Sequence, residues 1–341
     1  MAIFFLLATI LSYLLFLSQW IALPLKTSIH LCFLDGKFDR GRMRMIFIGT
    51  VLFKEMAQSK KRYSGEKTAM TEDQEHTLNI PPFTGRILSD YDEPMIVEAL
   101  KDCDAQLEEA CILEESRNKV GVVALPVKDG RTIELVIKEF RTQGVNKWKS
   151  LVLPSKAQKA WRGSLALVER GFLTPLPVAY LERKPFLFLE QSFFIAEYVP
   201  NIEEVRGLLR ELPDGELTPL IRELAIYLAR CVKSGILHRD LSDGNVLVER
   251  SGGEQFRFFL LDTNRIRCRK RIGTLKGIKS LIRLGIPPEH QRFFLAEYLF
   301  HSPVKRVHWL WYRMNKSVFT GYIRFKKLLK LKTLAQRLKI Q

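Results

Sequence analysis

Hydrophobic and polar positions set the N-terminal segment apart from the rest of the chain. Residues 2–23 carry no charged side chain, and at a helical rise of about 1.5 Å they reach about 33 Å, enough to cross a hydrocarbon core. Basic residues follow this run and none precedes it. The pattern predicts a membrane anchor within 1–57 that leaves the remainder in the cytoplasm. A helix packed on the domain, or a start codon placed too far upstream, are the alternatives.

Residues 58–94 are polar. They contain the basic run Ser59–Arg62, the Pro81-Pro82 pair and Gly85. Proline, glycine and clustered polar residues are typical of segments without regular structure. We therefore expect a linker over 58–104.

From residue 105 onward the pattern is that of a globular domain. Apolar runs rich in β-branched and aromatic residues predict strands at 111–116, 119–127, 132–140 and 187–199. The Asp129-Gly130 pair predicts a hairpin turn between the second and third of these strands.

Helical periodicity appears in two places. Residues 155–172 predict a helix that is capped by Ser155 and ends near Gly171. Residues 217–234 predict a second helix with one apolar face: Leu217, Leu220, Ile221, Leu224, Leu228 and Val232. Short strands at 246–248 and 258–261 follow, and the remainder reads as mainly helical.

The composition indicates a folded protein whose cysteines are unpaired, as in a reducing compartment. Hydrophobic residues make up 47% and charged residues 27%, which is enough for a packed core. The five cysteines are scattered and form no C-x-x-C pair, so a disulfide framework or a cysteine zinc site is not expected.

Charge is distributed unevenly along the chain. The net charge is +17, and residues 264–341 hold 20 lysines and arginines but only two acids. We expect an anionic partner for this part. Residues 316–341 predict a basic amphipathic helix suited to an anionic membrane or a phosphorylated glycolipid. A solvated face ranks second, and nucleic acid last, because no recognition module accompanies the charge.

The most specific motif is H-R-D-L-S-D-G-N at 238–245, followed by an apolar strand. It resembles the catalytic loop of the protein-kinase-like superfamily. Phosphoryl transfer needs a carboxylate that orients the acceptor hydroxyl and accepts its proton, and an oxygen ligand for magnesium a few residues later. Asp240 and Asn245 fit these two roles.

Two further residues complete this resemblance. The strand ending F-L-L-D places Asp262 where the superfamily has its metal-binding aspartate, and L-V-I-K places Lys138 where a lysine reaches the α- and β-phosphates. Each motif alone occurs by chance, but all four in this order are hard to produce by chance. ATP and Mg²⁺ are the implied cosubstrate and metal.

Other positions depart from protein kinases. No G-x-G-x-x-G lies between 110 and 138, so Ser116, Arg117 and Asn118 are the candidates for the turn over the phosphates. Glu197 and Tyr198 would lie where backbone groups hold adenine. The helix glutamate that pairs with the lysine is missing: the expected position holds Ala160, Glu169 is the nearest alternative, and the partner of Lys138 stays open.

A narrower resemblance comes from the helix S-K-A-Q-K-A-W-R at 155–162, the turn G-F-L-T-P-L-P at 171–177, Asp262 followed after two intervening residues by Arg265, and R-F-F-L-A-E-Y-L at 292–299. These motifs are similar to those of the lipopolysaccharide kinase family, whose enzymes phosphorylate inner-core sugars such as heptose or 3-deoxy-manno-octulosonic acid. The resemblance covers roughly 110–300.

This resemblance implies a two-lobed, protein-kinase-like α+β fold, and the apolar run at 2–23 adds an N-terminal hydrophobic helix before it. Its parts would be a small antiparallel-sheet lobe (105–197), a mainly helical large lobe (198–310) and a basic C-terminal helix (311–341). It implies an ATP-dependent sugar kinase that acts on an anionic glycolipid at the cytoplasmic face of the inner membrane and binds no nucleic acid. A serine/threonine protein kinase and a membrane-anchored pseudokinase are the alternatives.

Overall fold

The structure is a computed structural model that describes residues 74–115, 118–126, 132–141, 150–251, 255–300 and 302–337. The predicted N-terminal anchor, and with it the hydrophobic helix of the predicted fold, lies outside these residues. Within the described ranges, none of the helices combines the length and the hydropathy needed to span a bilayer.

The first half of the described chain is built on a seven-stranded sheet. Its strands are β1 (Glu75–Ile80), β2 (Phe83–Leu88), β3 (Cys111–Glu115), β4 (Lys119–Pro126), β5 (Thr132–Arg141), β6 (Pro177–Arg183) and β7 (Gln191–Glu197). They lie in the order β1-β2-β6-β7-β5-β4-β3, and every neighbouring pair is antiparallel.

The linker prediction for 58–104 is corrected from residue 75 onward. This stretch forms β1, β2 and the helix α1 (Pro94–Lys101), and α2 (Cys103–Glu109) follows directly. Proline and glycine misled the prediction, because Pro81-Pro82 is the turn between the strands. Gly85 faces β6 so closely that a Cβ would lie 1.8 Å from the Tyr180 carbonyl oxygen. Here glycine permits a close approach of two backbones.

The predicted helix at 155–172 is present as α3 (Lys156–Val168). Ser155 caps it, since the backbone N–H of Gln158 donates to its hydroxyl oxygen at 2.9 Å. Gly171 follows the helix with φ 72°, a left-handed conformation that favours glycine. The helix packs against β6 and β7 and buries Trp161 in the core of the sheet.

The second half of the described chain is mainly helical. Its helices are α4 (Val205–Glu211), α5 (Asp214–Lys233), α6 (Thr274–Ser280), α7 (Gln291–Tyr298) and α8 (Arg306–Arg337). Short strands lie between them: β8 (Glu203–Glu204), β9 (Ile236–His238), β10 (Val246–Ser251), β11 (Gln255–Leu260) and β12 (Ile266–Cys268). The apolar face predicted for 217–234 belongs to α5, where it packs into this half's core.

Two strand pairs bring the candidate motifs together. β9 pairs with β12, and β10 pairs with β11, so the loop from Arg239 to Asn245 and the loop from Leu261 to Arg265 leave the strands side by side. A sheet-rich part followed by a mainly helical part is the arrangement that the predicted α+β class requires.

Candidate active site

Lys138 and Asp262 meet although 124 residues separate them. On β5, Leu135 and Ile137 point into the core, so the next residue in the alternation, Lys138, projects from the other face. Its Nζ donates to Oδ1 of Asp262, and the two side chains are 20% and 33% exposed. The structure therefore joins the predicted phosphate-binding lysine to the predicted metal-binding aspartate.

Asp262 has a left-handed backbone, with φ 50° and ψ 46°. Such a conformation is uncommon outside glycine, although aspartate tolerates it better than most residues, and strained backbones of this kind concentrate at functional sites. Asp262 lies between the end of β11 and a single 3-10 turn over Thr263–Arg265. In this turn the Arg265 N–H donates to the Asp262 carbonyl oxygen at 3.1 Å.

One hydrogen bond closes the catalytic-loop motif on itself, and a second ties it to the residue that follows β11. Asn245 donates through Nδ2 to the backbone oxygen of Asp240 at 2.8 Å, and its own carbonyl accepts from the N–H of Leu261 at 2.9 Å. Leu261 directly precedes Asp262. Asp240, Asn245 and Asp262 therefore belong to one hydrogen-bonded junction.

His238 holds the same junction from inside. Its Nδ1 lies 3.2 Å from the backbone N–H of Asp240 and its Nε2 lies 2.8 Å from the carbonyl oxygen of Leu261. Because the N–H can only donate and the carbonyl can only accept, Nδ1 is the acceptor and Nε2 carries the proton. Burial lowers the pKa of His238, in keeping with the neutral ring. His238 therefore has a structural role in this junction.

Helix α3 contacts the turn after Asp262 through hydrogen bonds to Thr263, and not through a glutamate side chain. The buried Thr263 hydroxyl donates to the carbonyl oxygen of Ala160 at 2.9 Å and lies 3.0 Å from the hydroxyl of Ser164. A Cβ on Gly163 would lie 2.2 Å from the Thr263 carbonyl oxygen. The backbones are therefore in close contact at this point.

These contacts answer the question left open for Lys138. Ala160, which stands where a glutamate was expected, binds Thr263 through its backbone, and the partner of Lys138 is Asp262 itself. Glu169 pairs instead with Arg170, 3.3 Å away at the end of the helix. Thr263 is a site residue that the sequence analysis missed, because threonine after an aspartate carries no motif signal.

The predicted phosphate-covering turn is described only in part. Ser116 and Arg117 lie outside the described residues. Asn118 is half-buried and immediately precedes β4, in which Val120 pairs with Lys138. This register places Asn118 at the end of the sheet where Lys138 lies.

Glu197 and Tyr198 lie at the end of β7, with Glu197 three residues beyond the strand position that pairs with Lys138. That separation is about 10 Å along a strand. Their backbone N–H groups already donate within the protein, to the carbonyl oxygens of Leu176 and Glu134 at 2.8 and 2.9 Å. The adenine contact expected from these two N–H groups therefore competes with existing hydrogen bonds.

Two arginines beside Asp240 were also missed. Arg283, in the 3-10 turn after α6, contacts Oδ1 of Asp240 through Nη1. Arg265 places Nε 4.0 Å from Oδ2 of the same carboxylate. The spacing of Arg265 after Asp262 was noted in the sequence as a family feature, but no pattern pointed from Arg283 to the catalytic loop.

Comparison with known proteins matches part of the chain to one family. Residues 146–286 match the model of the Lipopolysaccharide kinase (Kdo/WaaP) family. The match confirms the resemblance stated from the sequence, and the prediction of a kinase, because members of this family phosphorylate lipopolysaccharide core sugars. The matched range contains Asp240, Asn245, Asp262 and both arginines, and Lys138 lies before it. No curated protein matches the chain.

Among solved structures, "WaaP in complex with acyl carrier protein" is similar to this chain with a TM-score of 0.46 and 19% identity. The similarity covers 62% of this chain and 90% of that chain.

Proposed function

We propose that this kinase uses ATP and Mg²⁺ to phosphorylate a sugar hydroxyl of the lipopolysaccharide inner core, at the cytoplasmic face of the inner membrane. The family match supports a core sugar as acceptor. The observation that carries the proposal is the meeting of Lys138, Asp240, Asn245 and Asp262, from distant parts of the chain, around one junction. Phosphoryl transfer depends on such positioning and charge stabilisation.

On the ATP side, Lys138 would hold the α- and β-phosphates. Its ammonium group now has Asp262 as counter-ion, and both side chains are partly exposed. Phosphate oxygens would replace the carboxylate as partner of the ammonium group. The lysine is therefore kept extended toward the position of the phosphates before ATP binds.

On the acceptor side, Asp240 would orient the sugar hydroxyl. The hydroxyl oxygen forms a bond to the γ-phosphorus while the bond from that phosphorus to the β,γ-bridging oxygen breaks. The hydroxyl proton passes to a carboxylate oxygen of Asp240, and ADP leaves with the bridging oxygen. The hydrogen bonds from Asn245 and to His238 fix the backbone of Asp240 during this step.

The chemistry of the side chains fits a magnesium ion. Asp262 offers carboxylate oxygens, and Asn245 donates through its nitrogen, which orients the amide and leaves its oxygen as a ligand. Within the described ranges, no three histidine, cysteine or acidic side chains form a metal cluster, so phosphate oxygens and water would complete the coordination. The ion would neutralise charge on the phosphates.

The membrane location is supported by α8. Apolar side chains project into solvent along one stripe of this helix, three or four residues apart and 38–57% exposed: Val307, Leu310, Met314, Val318, Tyr322 and Phe325. Between Arg306 and Leu329 the helix carries six basic residues and no acidic one. An apolar stripe within a basic helix is typical of binding to an anionic bilayer surface. We call these six residues the α8 stripe.

The experiment that tests this function replaces Asp240 by asparagine, which keeps the shape of the side chain but cannot take the proton. Transfer of phosphate from ATP to purified core oligosaccharide should fall by about 10²–10⁴-fold. Affinity for ATP, measured by calorimetry, should change little, because Asp240 contacts the acceptor.

Asp214→Asn is the matched control, since Asp214 is exposed at the start of α5 and should keep full activity. Wild-type turnover of Asp240→Asn would contradict the role of Asp240. Phosphorylation of peptides but not of the oligosaccharide would favour a protein kinase. ATP binding without transfer to any acceptor would favour a pseudokinase.

A further inference from the structure

Two positively charged side chains lie beside the single negative charge of the Asp240 carboxylate. Among the described residues, the guanidinium groups of Arg283 and Arg265 both lie within 4.0 Å of it. Asp243, three residues along the loop, has its own partner, because Arg206 Nε lies 3.3 Å from its Oδ1. One carboxylate thus faces two cations.

Arg283 is held in place by α8. Its guanidinium carbon lies 5.2 Å from the ring centre of Phe319, and Lys316 donates to the carbonyl oxygen of the next residue, Leu284, at 2.8 Å. The side chain is 38% exposed, and partial burial lowers its pKa. A guanidinium stacked on a ring keeps a fixed direction, so its edge stays aimed at Asp240.

Arg265 is held by the backbone. Its carbonyl accepts from the N–H of Arg239 at 3.2 Å, and its N–H donates to Asp262. The positive region continues beyond it, since burial together with nearby Arg267 and Arg265 lowers the pKa of Lys159 on α3. A further anion beside Asp240 would therefore meet a favourable field.

We infer that Arg283, together with Arg265, binds a negatively charged group of the acceptor, a carboxylate or a phosphate, next to the hydroxyl that is phosphorylated. This inference rests on the proposed function. The acceptor's anion replaces Asp240 as counter-ion of Arg283, and the Asp240 carboxylate is freed to take the hydroxyl proton. An acceptor without the charge leaves Asp240 engaged and is a poor substrate.

The chemistry favours an arginine for this exchange. A guanidinium offers two parallel N–H donors that match carboxylate and phosphate equally well, and it stays charged throughout the working pH range. Hydrogen bonds to charged groups contribute enough to change binding by about tenfold to hundredfold.

The test compares charged and neutralised acceptors on the full-length protein. Core oligosaccharide is used as isolated, with its carboxylates converted to methyl esters, or after phosphatase treatment. For the wild type, kcat/KM for the acceptor should fall about tenfold to hundredfold on one of the two altered acceptors, while KM for ATP should stay the same. Loss on the ester identifies a carboxylate, and loss after phosphatase identifies a phosphate.

In Arg283→Gln, kcat/KM on the unaltered acceptor should be as low as the wild type shows on the neutralised one, with no further fall when the charge is removed. Arg283→Lys should recover part of the difference. Arg222→Gln is a matched control, because Arg222 also stacks on a ring, Phe293 at 5.4 Å, and pairs with an acid, but lies on α5 outside the site.

If Arg283→Gln lost kcat/KM equally on charged and neutral acceptors, Arg283 would only position Asp240, and the inference would be wrong. The Asp240→Asn result would still support the kinase in that case. A wild type that does not distinguish the acceptors would overturn the inference as well. If Arg283→Gln does not fold, Arg265→Gln on the same acceptors decides. Failure of the proposed function itself would appear as no transfer by the wild type to any form of the oligosaccharide.

Discussion

The two sides of the site are built differently. On the ATP side, Lys138 and Asp262 form a one-to-one ion pair, and the turn behind them is fixed to α3 through the buried hydroxyl of Thr263. On the acceptor side, Asp240 faces two arginines, and one of them is held by α8 at the surface.

This contrast corresponds to what each side would bind. ATP and Mg²⁺ are the same for every kinase, so a balanced ion pair held by the core suffices to prepare their site. An acceptor must be told apart from other alcohols, and two cations that share one carboxylate provide recognition of its charge. We therefore expect changes on the ATP side to affect stability and ATP binding, and changes on the acceptor side to affect substrate choice.

Among the substitutions that should affect one side of the site and not the other, Thr263→Val is expected to have the largest effect. Valine has the shape of threonine but cannot donate to the Ala160 carbonyl, and the buried Ser164 hydroxyl loses its neighbour. The free energy of unfolding should fall by about 1–3 kcal/mol. Affinity for ATP should fall too, since α3 and the Asp262 turn separate, while KM for the acceptor should stay the same. Thermal unfolding and calorimetry measure both.

Thr218→Val is the control, because Thr218 makes a similar bond, to the Asp214 carbonyl at 2.9 Å, on the exposed surface of α5. It should change stability by about 0.5 kcal/mol or less. Should Thr263→Val instead alter acceptor KM and leave ATP binding intact, the division of the site into two sides would be wrong.

The four motif residues, including Asp240 of the acceptor side, could be predicted from the sequence because each lies in a local motif. A strand ending in lysine, a loop with an aspartate and an asparagine five residues apart, and a strand ending in aspartate each have a recognisable form. Their convergence follows from pairing of short strands such as β9 with β12. Thr263 escaped prediction, since nothing local distinguishes a threonine that bonds to a helix 103 residues earlier.

The arginines around Asp240 on the acceptor side could not be predicted in this way. Arg283 lies 43 positions after Asp240, in a region with many basic residues, and only the packing of α8 on the turn after α6 selects it. Strands β1 and β2 were missed for a related reason. Their turn of two prolines and the glycine that faces β6 are typical of linkers until the neighbouring strand is known.

A smaller effect concerns His238, which joins the two sides through Asp240 and Leu261. Its pKa is lowered below 6.5 in the folded protein by burial, so the unfolded chain binds the proton more readily. Its contribution to stability is therefore complete above about pH 6.5 and is lost as the pH falls toward the folded-state value, with a slope of at most about 1.4 kcal/mol per pH unit. Urea unfolding between pH 5 and 8 measures it.

His238→Gln provides the comparison, because glutamine does not titrate and can still donate to a carbonyl. Its stability should depend less on pH than that of the wild type across this range, whatever its absolute value. An identical slope in both proteins would mean that His238 does not bind the proton that destabilises the junction.

The smallest effect on transfer itself is expected from the outer face of α8. Replacing Val318 and Phe325 of the α8 stripe by glutamate removes apolar area that a bilayer would cover, and binding to vesicles of anionic and zwitterionic lipid should weaken by about tenfold or more. Ser317→Glu with Thr320→Glu adds the same charge on exposed positions outside the stripe and should weaken binding less.

Transfer to soluble oligosaccharide should be unchanged in both variants, since Phe319, and not the α8 stripe, contacts Arg283. Equal losses of binding would mean that charge alone attracts α8 to the vesicle. If the Val318 and Phe325 variant also lost transfer to soluble oligosaccharide, the α8 stripe would be needed to keep Arg283 in place. Membrane binding and acceptor recognition would then not be separate functions of α8.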